Sequence, residues 1–270
     1  ITMTKVKKVL FVTHEITPYV PETAGSNICR TLPAAVQESG CEIRTFMPKW
    51  GNINERRGQL HEVIRLSGMN LIIDDTDHPL LIKVASITAA RMQVYFIDNE
   101  DYFMKRLEHA DAAGNEYTDN GERAIFYVRG VLETIKKLRW IPDVIHCHGW
   151  ISALAPLYLK KAYNEDPSFA KAKVVYSLYN DNVQTIGGLN TALLFKGVNK
   201  KVVKTLELPE EPTLQDLQKL AVRFSDGVIA ATPDAPAEVL NFARESGCPV
   251  LDYPGEDFIT AYQDFYDSLL

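Results

Sequence analysis

An apolar run ends in two histidines in the stretch Pro142-Asp143-Val144-Ile145-His146-Cys147-His148-Gly149-Trp150-Ile151-Ser152-Ala153-Leu154-Ala155-Pro156, where a helical pattern begins. Alternate side chains of a strand share a face, so His146 and His148 are predicted to point the same way and Cys147 the opposite way. Gly149 allows a tight turn into the next helix. Such junctions, at the carboxyl ends of strands, are where open α/β sheets place their ligands.

The histidine pair alone does not identify a reaction. No carboxylate or third histidine follows it at ligand spacing, so the pair is more typical of hydrogen-bonded structural histidines than of a catalytic or metal site. We therefore predict no metal site from this motif.

Strands and helices alternate along the chain, which predicts a Rossmann-like, doubly wound, mostly parallel sheet in a single domain over residues 1–270. Several short β-like runs between residues 60 and 98 predict an inserted hairpin region at the sheet edge, and residues 180–199 predict a loop. Strands are expected at residues 8–13, 42–48, 144–148, 173–179, 227–231 and 249–253. Helices are expected at residues 26–39, 120–138, 151–164, 213–224, 236–245 and 257–270.

Composition narrows the class of protein. The chain has 270 residues, 46% of them hydrophobic, and a net charge of -6, which argues against a nucleic-acid-binding or anionic-membrane surface. The four cysteines are scattered without CxxC spacing, as expected for buried thiols in a reducing compartment. The apolar run at residues 9–12 is too short for a signal peptide or a membrane helix. These features together predict a cytoplasmic location.

Four blocks of sequence resemble bacterial glycogen synthases and plant starch synthases, glycosyltransferases of family 5. The stretch after Pro142 is similar to the family's "HxHDWxxALxPxYLK", and residues 8–19 are similar to its opening "KVLFVSSEVAPF". Residues 95–103 and 117–124 resemble "YFIDNPEYF...YPDNAERF", and residues 225–238 resemble "ADxVTTVSPTYAxE". The resemblance covers nearly the whole chain and implies one half of the two-domain GT-B fold.

The resemblance also implies a reaction and a set of site residues. The family transfers glucose from ADP-glucose to the non-reducing end of an α-1,4-glucan with retention of configuration, and it needs no metal or other cofactor. Matching positions imply that His148 and Asp119 are catalytic. The implied substrate-binding residues are Glu15, Asn120, His146, Trp150, Asn180 and Gln184.

Several active-site motifs depart from the family pattern. The "KTGGL" loop corresponds to residues 21–25, where a proline provides neither charge nor hydrogen bond and Glu22 would repel a pyrophosphate. Gly149 replaces the aspartate of "HDW", Ile151 replaces a polar residue two positions later, and Tyr179 replaces the histidine of "TIHN". These departures favour loss of catalysis over neutral drift in an enzyme whose other half is a separate protein.

The end of the chain carries an aromatic stripe. About forty residues follow Thr232-Pro233, too few for the family's donor-binding second domain. ADP-glucose is therefore expected as a donor only if such a domain is supplied separately. We expect residues 255–270 to form a helix that packs back on the domain, although a partner-binding face is the alternative. The stripe consists of Phe258, Tyr262, Phe265, Tyr266 and Leu269.

Two functions follow from this resemblance. The chain is either a non-catalytic or regulatory member that binds α-1,4-glucan or maltooligosaccharide or assists a glycogen enzyme, or it is half of a split glucosyltransferase completed by a separate donor-binding chain. An unrelated dinucleotide-binding protein is disfavoured, because the loop after the first strand has a single glycine, Gly25, where that fingerprint needs three.

Overall fold

The computed structural model describes residues 5–189 and 198–270, which contain eleven strands and eight α-helices. The strands are β1 Lys8–Val12, β2 Glu42–Pro48, β3 His61–Glu62, β4 Asn70–Ile73, β5 Thr76–Pro79, β6 Leu81–Ile87, β7 Met92–Asp98, β8 Val144–His148, β9 Lys173–Leu178, β10 Gly227–Ala230 and β11 Val250–Leu251. The helices are α1 Ala24–Glu38, α2 Glu55–Gly58, α3 Asn120–Leu138, α4 Ala155–Lys161, α5 Lys200–Leu206, α6 Leu214–Phe224, α7 Ala237–Glu245 and α8 Ile259–Leu269.

Nine strands form one sheet in the order β11-β10-β9-β8-β1-β2-β7-β6-β3. The neighbours from β11 to β7 are all parallel, whereas β6 and β3 pair antiparallel at one edge. This arrangement confirms the predicted mixed α/β fold with a mostly parallel sheet. From β1 the chain first builds the β2 side and then crosses to β8, so the strand order reverses between β1 and β8. A reversal of this kind opens a crevice at the carboxyl ends of the two strands.

The region between residues 60 and 98 contains β3 to β7. Strands β4 and β5 form a separate antiparallel hairpin, and β6 and β7 form a second hairpin. The second hairpin is part of the main sheet, because β7 pairs parallel with β2. The region therefore lengthens the sheet on the side away from β8.

The predicted and observed bounds differ most for the helix after β8, and helix α1 also begins earlier than expected. The helix expected at residues 151–164 is a short 3-10 turn at Trp150–Ser152 followed by α4, whose first turn holds Pro156, a residue suited to a helix start. Helix α1 begins before residue 26, because Thr23 caps it in a capping box with Ser26. The loop predicted at residues 180–199 lies partly outside the described residues.

Helix α8 packs on the face of the sheet that α1 also covers. Its Tyr262 and Tyr266 are buried in an apolar cluster with residues of β1, α1 and β8. The Asp267 carboxylate accepts hydrogen bonds from the backbone N–H groups of Lys5 and Val6, at 3.1 and 3.3 Å. The last described helix is therefore tied to the segment that enters the first strand. Among the described helices, none has the length and apolar character needed to cross a membrane.

Candidate functional site

A cleft of about 290 Å³ opens at the carboxyl ends of the central strands. Its walls come from the loop after β1, the start of α1, the loop before α3 and the segments after β9 and β10. Within the described residues, no lysine or arginine lines it. The lining side chains that carry the chemistry are His14, Glu15, Thr23, Glu108, His109, Tyr179, Asn180, Asp181, Asn182, Thr232 and Asp234.

The His14 imidazole fills the space between two glycines. A Cβ at Gly25 would lie 2.7 Å from His14 Nε2, and a Cβ at Gly149 would lie 2.6 Å from His14 Cγ. Gly149 also has a φ of 80°, a conformation that strains any residue with a side chain. The absence of a side chain at Gly149, where the family motif has aspartate, is therefore what makes room for His14.

His14 and Glu15 form an ion pair at the start of α1. His14 Nε2 lies 3.3 Å from Glu15 Oε1, and Thr23 Oγ1 donates a hydrogen bond of 2.5 Å to the same oxygen. Burial disfavours both charges, but the hydrogen bonds and attraction within the pair outweigh it and lower the pKa of Glu15. Burial opposes charging of His14 too, yet contacts with Cys29 and Glu15 raise the pKa of its imidazole. Both pKa shifts therefore favour the ionised form of the pair.

Two further carboxyl groups face this pair. Burial raises the pKa of Glu108 to about 7 and that of Asp181 to about 6, and the Glu15 carboxylate adds to both increases. Asp181 Oδ2 is buried and has no hydrogen-bond partner among the described residues. Near neutral pH, Glu108 therefore keeps its proton in a large fraction of molecules and Asp181 in a smaller fraction, so these groups can donate as well as accept hydrogen bonds.

Two neighbouring histidines, His146 and His148, lie beneath the cleft and do not line it. Both are fully buried on β8, with ring centroids 3.9 Å apart. His146 Nδ1 pairs with the hydroxyl of Tyr266 in α8, and His146 Nε2 lies 2.6 Å from Ser177 Oγ. Burial lowers the pKa of His146 to about 3 and lowers that of His148 as well, so both rings are neutral.

Tyr179 separates this buried pair from the cleft. Its hydroxyl lies 2.8 Å from His148 Nδ1, and its ring packs against His14 with centroids 4.8 Å apart. The Tyr179 side chain also forms part of the cleft wall. A ligand in the cleft would therefore meet Tyr179 before it reached His148.

The sequence and the fold of this chain both resemble those of known proteins. Residues 8–251 match the family model of the starch synthase catalytic domain. The chain belongs to this family. The glycogen synthase of Chlorobium luteolum is 39% identical over 174 residues, which are 64% of this chain and 36% of that protein. The glycogen synthase of Chlorobaculum parvum is 32% identical over 242 residues, or 88% of this chain and 48% of that protein.

The starch synthase fold is also found by structural comparison. The catalytic domain of starch synthase IV from Arabidopsis thaliana, solved with ADP and acarbose, superposes with a TM-score of 0.67 at 16% identity. The match covers 92% of this chain and 51% of that chain. The chain thus spans about half or less of the length of the relatives that it matches, and it corresponds to one half of their GT-B fold.

Within this starch synthase-type domain, the predicted site residues do not all come together. Glu15 and Asn180 line the cleft, and Asn180 Nδ2 donates a long hydrogen bond of 3.4 Å to Asp234 Oδ2. His146, His148 and Trp150 are fully buried. Their roles in substrate binding or catalysis, and that of Asn180, stay predictions.

The remaining predicted residues make contacts within the protein. Arg106 Nη1 donates a hydrogen bond of 2.7 Å to Asp119 Oδ2, so that carboxylate is held in an ion pair. Asn120 is buried, and its Nδ2 donates to the carbonyl oxygen of His109 at 2.9 Å. The backbone N–H of Gln184 donates to a Glu116 carboxylate oxygen at 2.7 Å. None of these three side chains is part of the cleft wall.

Sequence reasoning missed His14, Glu108 and Asp181. His14 follows β1 directly, so its position at a strand end was a usable signal. Glu108 and Asp181 lie in irregular segments that are distant in sequence, and no spacing rule connects them. Among residues 5–189 and 198–270, no group of three or more His, Cys, Asp or Glu side chains is arranged to hold a metal ion.

Proposed function

We propose that the cleft binds an α-1,4-glucan or maltooligosaccharide, and that this starch synthase-type domain by itself does not transfer glucose. The supporting observation is the cleft lining, in which carboxyl, amide and hydroxyl groups converge without a lysine or arginine among the described residues. Sugar hydroxyls both donate and accept hydrogen bonds. Glu108 and Asp181 suit them, because carboxyl groups that titrate near neutral pH offer both roles.

The start of α1 argues against a nucleotide donor in this cleft. A helix N-terminus usually attracts phosphate through its free N–H groups. Here Glu15 already supplies a carboxylate at that position, since a Cβ at Gly25 would lie only 2.6 Å from Glu15 Oε1. The Ser26 N–H is satisfied by Thr23 Oγ1 at 3.0 Å. A diphosphate would therefore meet a filled anion site and the neighbouring acidic groups.

A separate donor-binding chain or glycogen enzyme is the second possibility, in which this domain supplies the acceptor side. Docking of such a partner would favour an exposed apolar patch at the cleft rim. Among the described residues, the large hydrophobic side chains with high exposure are Ile64, Ile141, Tyr253 and Leu270. Of these four, only Tyr253 lies next to the cleft. One exposed side chain does not form a docking patch, and this favours the glucan-binding proposal.

Calorimetric titration with maltotetraose and, separately, with ADP-glucose tests the proposal. We expect maltotetraose to bind and ADP-glucose to bind at least tenfold more weakly. Asp181→Ala should weaken maltotetraose binding about tenfold or more, because it removes a cleft carboxyl group whose Oδ2 atom has no hydrogen-bond partner among the described residues. Glu245→Gln, an exposed change on α7, is the matched control and should leave binding unchanged.

Two results would contradict the proposal. If ADP-glucose bound more tightly than the sugar, the loop at residues 21–25 would still serve a donor site. If maltotetraose did not bind at all, the cleft would not be a glucan site.

A further inference from the structure

A second cavity adjoins the cleft. It has a volume of about 360 Å³ and lies between the first turns of α1 and the segment that joins β11 to α8. The two cavities share Ala24 and Thr232 in their walls, so they are neighbours at the carboxyl ends of the strands. A chain-like ligand that leaves the cleft past these two residues would reach the second cavity.

Two aromatic side chains distinguish the second cavity from the cleft. Tyr253 is 37% exposed and lines the cavity together with Phe258. The Phe258 ring packs on the buried Tyr262 with centroids 5.0 Å apart, so this wall is fixed to the core. The Tyr253 ring is thus an open aromatic surface beside a rigid wall.

Polar groups complete the lining of this cavity. Asn27 and Thr31 of α1 and Glu256 of the joining segment face it, and no described lysine or arginine does. A ligand with apolar faces and hydroxyl edges matches aromatic rings combined with amide, hydroxyl and carboxylate groups. A sugar ring has this chemistry, whereas an anionic ligand would find no cation.

We propose that the second cavity is a subsite for further glucose units of the same α-glucan, with one sugar ring stacked on Tyr253. This inference rests on the proposed function of the cleft. Sites for small organic ligands have volumes of about 300 to 1,000 Å³. The two adjacent cavities, at 290 and 360 Å³, lie at the lower end of this range, and together they suit a chain of several sugars.

Binding of maltose, maltotriose, maltotetraose and maltohexaose, measured by calorimetry on the full chain, tests the subsite. We expect the affinity of the wild type to rise with chain length. Tyr253→Ala should weaken binding of the longer sugars about three- to tenfold, the range for one aromatic contact, and change maltose binding less than twofold. Ile141→Ala, which truncates a 52% exposed side chain at the amino end of β8, is the control.

A tryptophan at the same position provides a spectroscopic readout. The three natural tryptophans, Trp50, Trp140 and Trp150, are buried, so an exposed ring in Tyr253→Trp adds a distinct fluorescence signal. We expect its emission to change with maltohexaose and not with maltose.

The outcomes separate the two proposals. If no maltooligosaccharide binds to the wild type, the proposed function fails and the subsite fails with it. If all lengths bind and Tyr253→Ala leaves the length dependence intact, only the subsite is wrong. If Tyr253→Ala weakens maltose as much as maltohexaose, or weakens ADP-glucose instead, Tyr253 belongs to a different ligand site and the proposal is overturned.

Discussion

His14 differs sharply from the pair of His146 and His148, although it follows β1 and the pair lies on the neighbouring strand β8. All three imidazoles are buried. Contacts with Cys29 and Glu15 outweigh burial and raise the pKa of His14, whereas the described groups within hydrogen-bond distance of His146 are hydroxyls and burial lowers its pKa to about 3. Burial by itself lowers the pKa of an imidazole, and of these three rings it is His14 whose contacts offset that effect.

The comparison divides the central sheet into two functional parts. The end of β1 carries an ion pair at the cleft, together with two carboxyl groups of raised pKa. The end of β8 carries hydrogen bonds that join the sheet to α8. We infer that changes near His146 affect mainly stability, and that changes near His14 affect both ligand binding and the charge of the cleft.

The largest effect is expected at Gly149, where the two regions touch. Gly149→Ala should reduce the free energy of unfolding by about 3 kcal/mol or more, since it combines a positive φ with a Cβ 2.6 Å from His14 Cγ. Gly40→Ala is a matched control, because Gly40 also has a positive φ but open space around it. Urea unfolding of both variants separates backbone strain from the collision.

A double mutant sharpens this test. Truncation of the ring in His14→Ala should make Gly149→Ala less costly by about 1 to 2 kcal/mol, the coupling expected for residues in contact. If Gly149→Ala cost no more than Gly40→Ala in the wild-type background, His14 would not depend on the glycine.

A smaller loss is expected when the contact between α8 and β8 is cut. Tyr266→Phe removes the hydroxyl that pairs with His146 Nδ1 and leaves that buried nitrogen without its partner. The expected loss of unfolding free energy is about 1 to 3 kcal/mol, with no change in maltotetraose affinity. Tyr253→Phe, at an exposed position, should leave stability unchanged. Reduced sugar affinity in Tyr266→Phe would show that the buried pair acts on the cleft.

Sequence patterns predicted the sheet well, because apolar runs and the turn-forming residues that bound them are local signals. The strands at residues 144–148 and 42–48 and helix α3 were found with their observed boundaries. The helix after β8 was misplaced, since the 3-10 turn at Trp150–Ser152 depends on how that segment packs against α3 and β8. Local periodicity contains no information about such packing.

The candidate site was harder to predict for a related reason. The motif with His146 and His148 was the most informative feature of the sequence, but both rings are buried beneath the cleft and do not line it. Glu108 and Asp181 gave no signal, because only tertiary folding brings these loop residues to the end of β1 and raises the pKa of each carboxyl group. The resemblance of the motifs identified the family and correctly placed the candidate site at the carboxyl ends of the strands. The pKa shifts of the buried carboxyl and imidazole groups depend on the three-dimensional environment and could not be predicted in this way.

The smallest effect concerns the charge of the cleft itself. Because burial raises the pKa of Glu108 to about 7, the native protein keeps a proton that the unfolded chain releases between about pH 4 and 7. The free energy of unfolding therefore falls as pH rises through this window. Glu108→Gln has no proton to lose there, so it should be more stable than the wild type at pH 8 by on the order of 1 kcal/mol.

At pH 4 the two proteins should have nearly equal stability, because the Glu108 carboxyl is then protonated in both the native and the unfolded wild type. The difference between the urea unfolding curves of the two proteins reports Glu108 together with its electrostatic coupling to Glu15 and His14. Glu245→Gln, at an exposed position, should show no such pH dependence. If Glu108→Gln also tracked the wild type from pH 4 to 8, Glu108 would be ionised like a surface carboxylate, and the cleft would be a charged acidic site in place of one matched to neutral sugar hydroxyls.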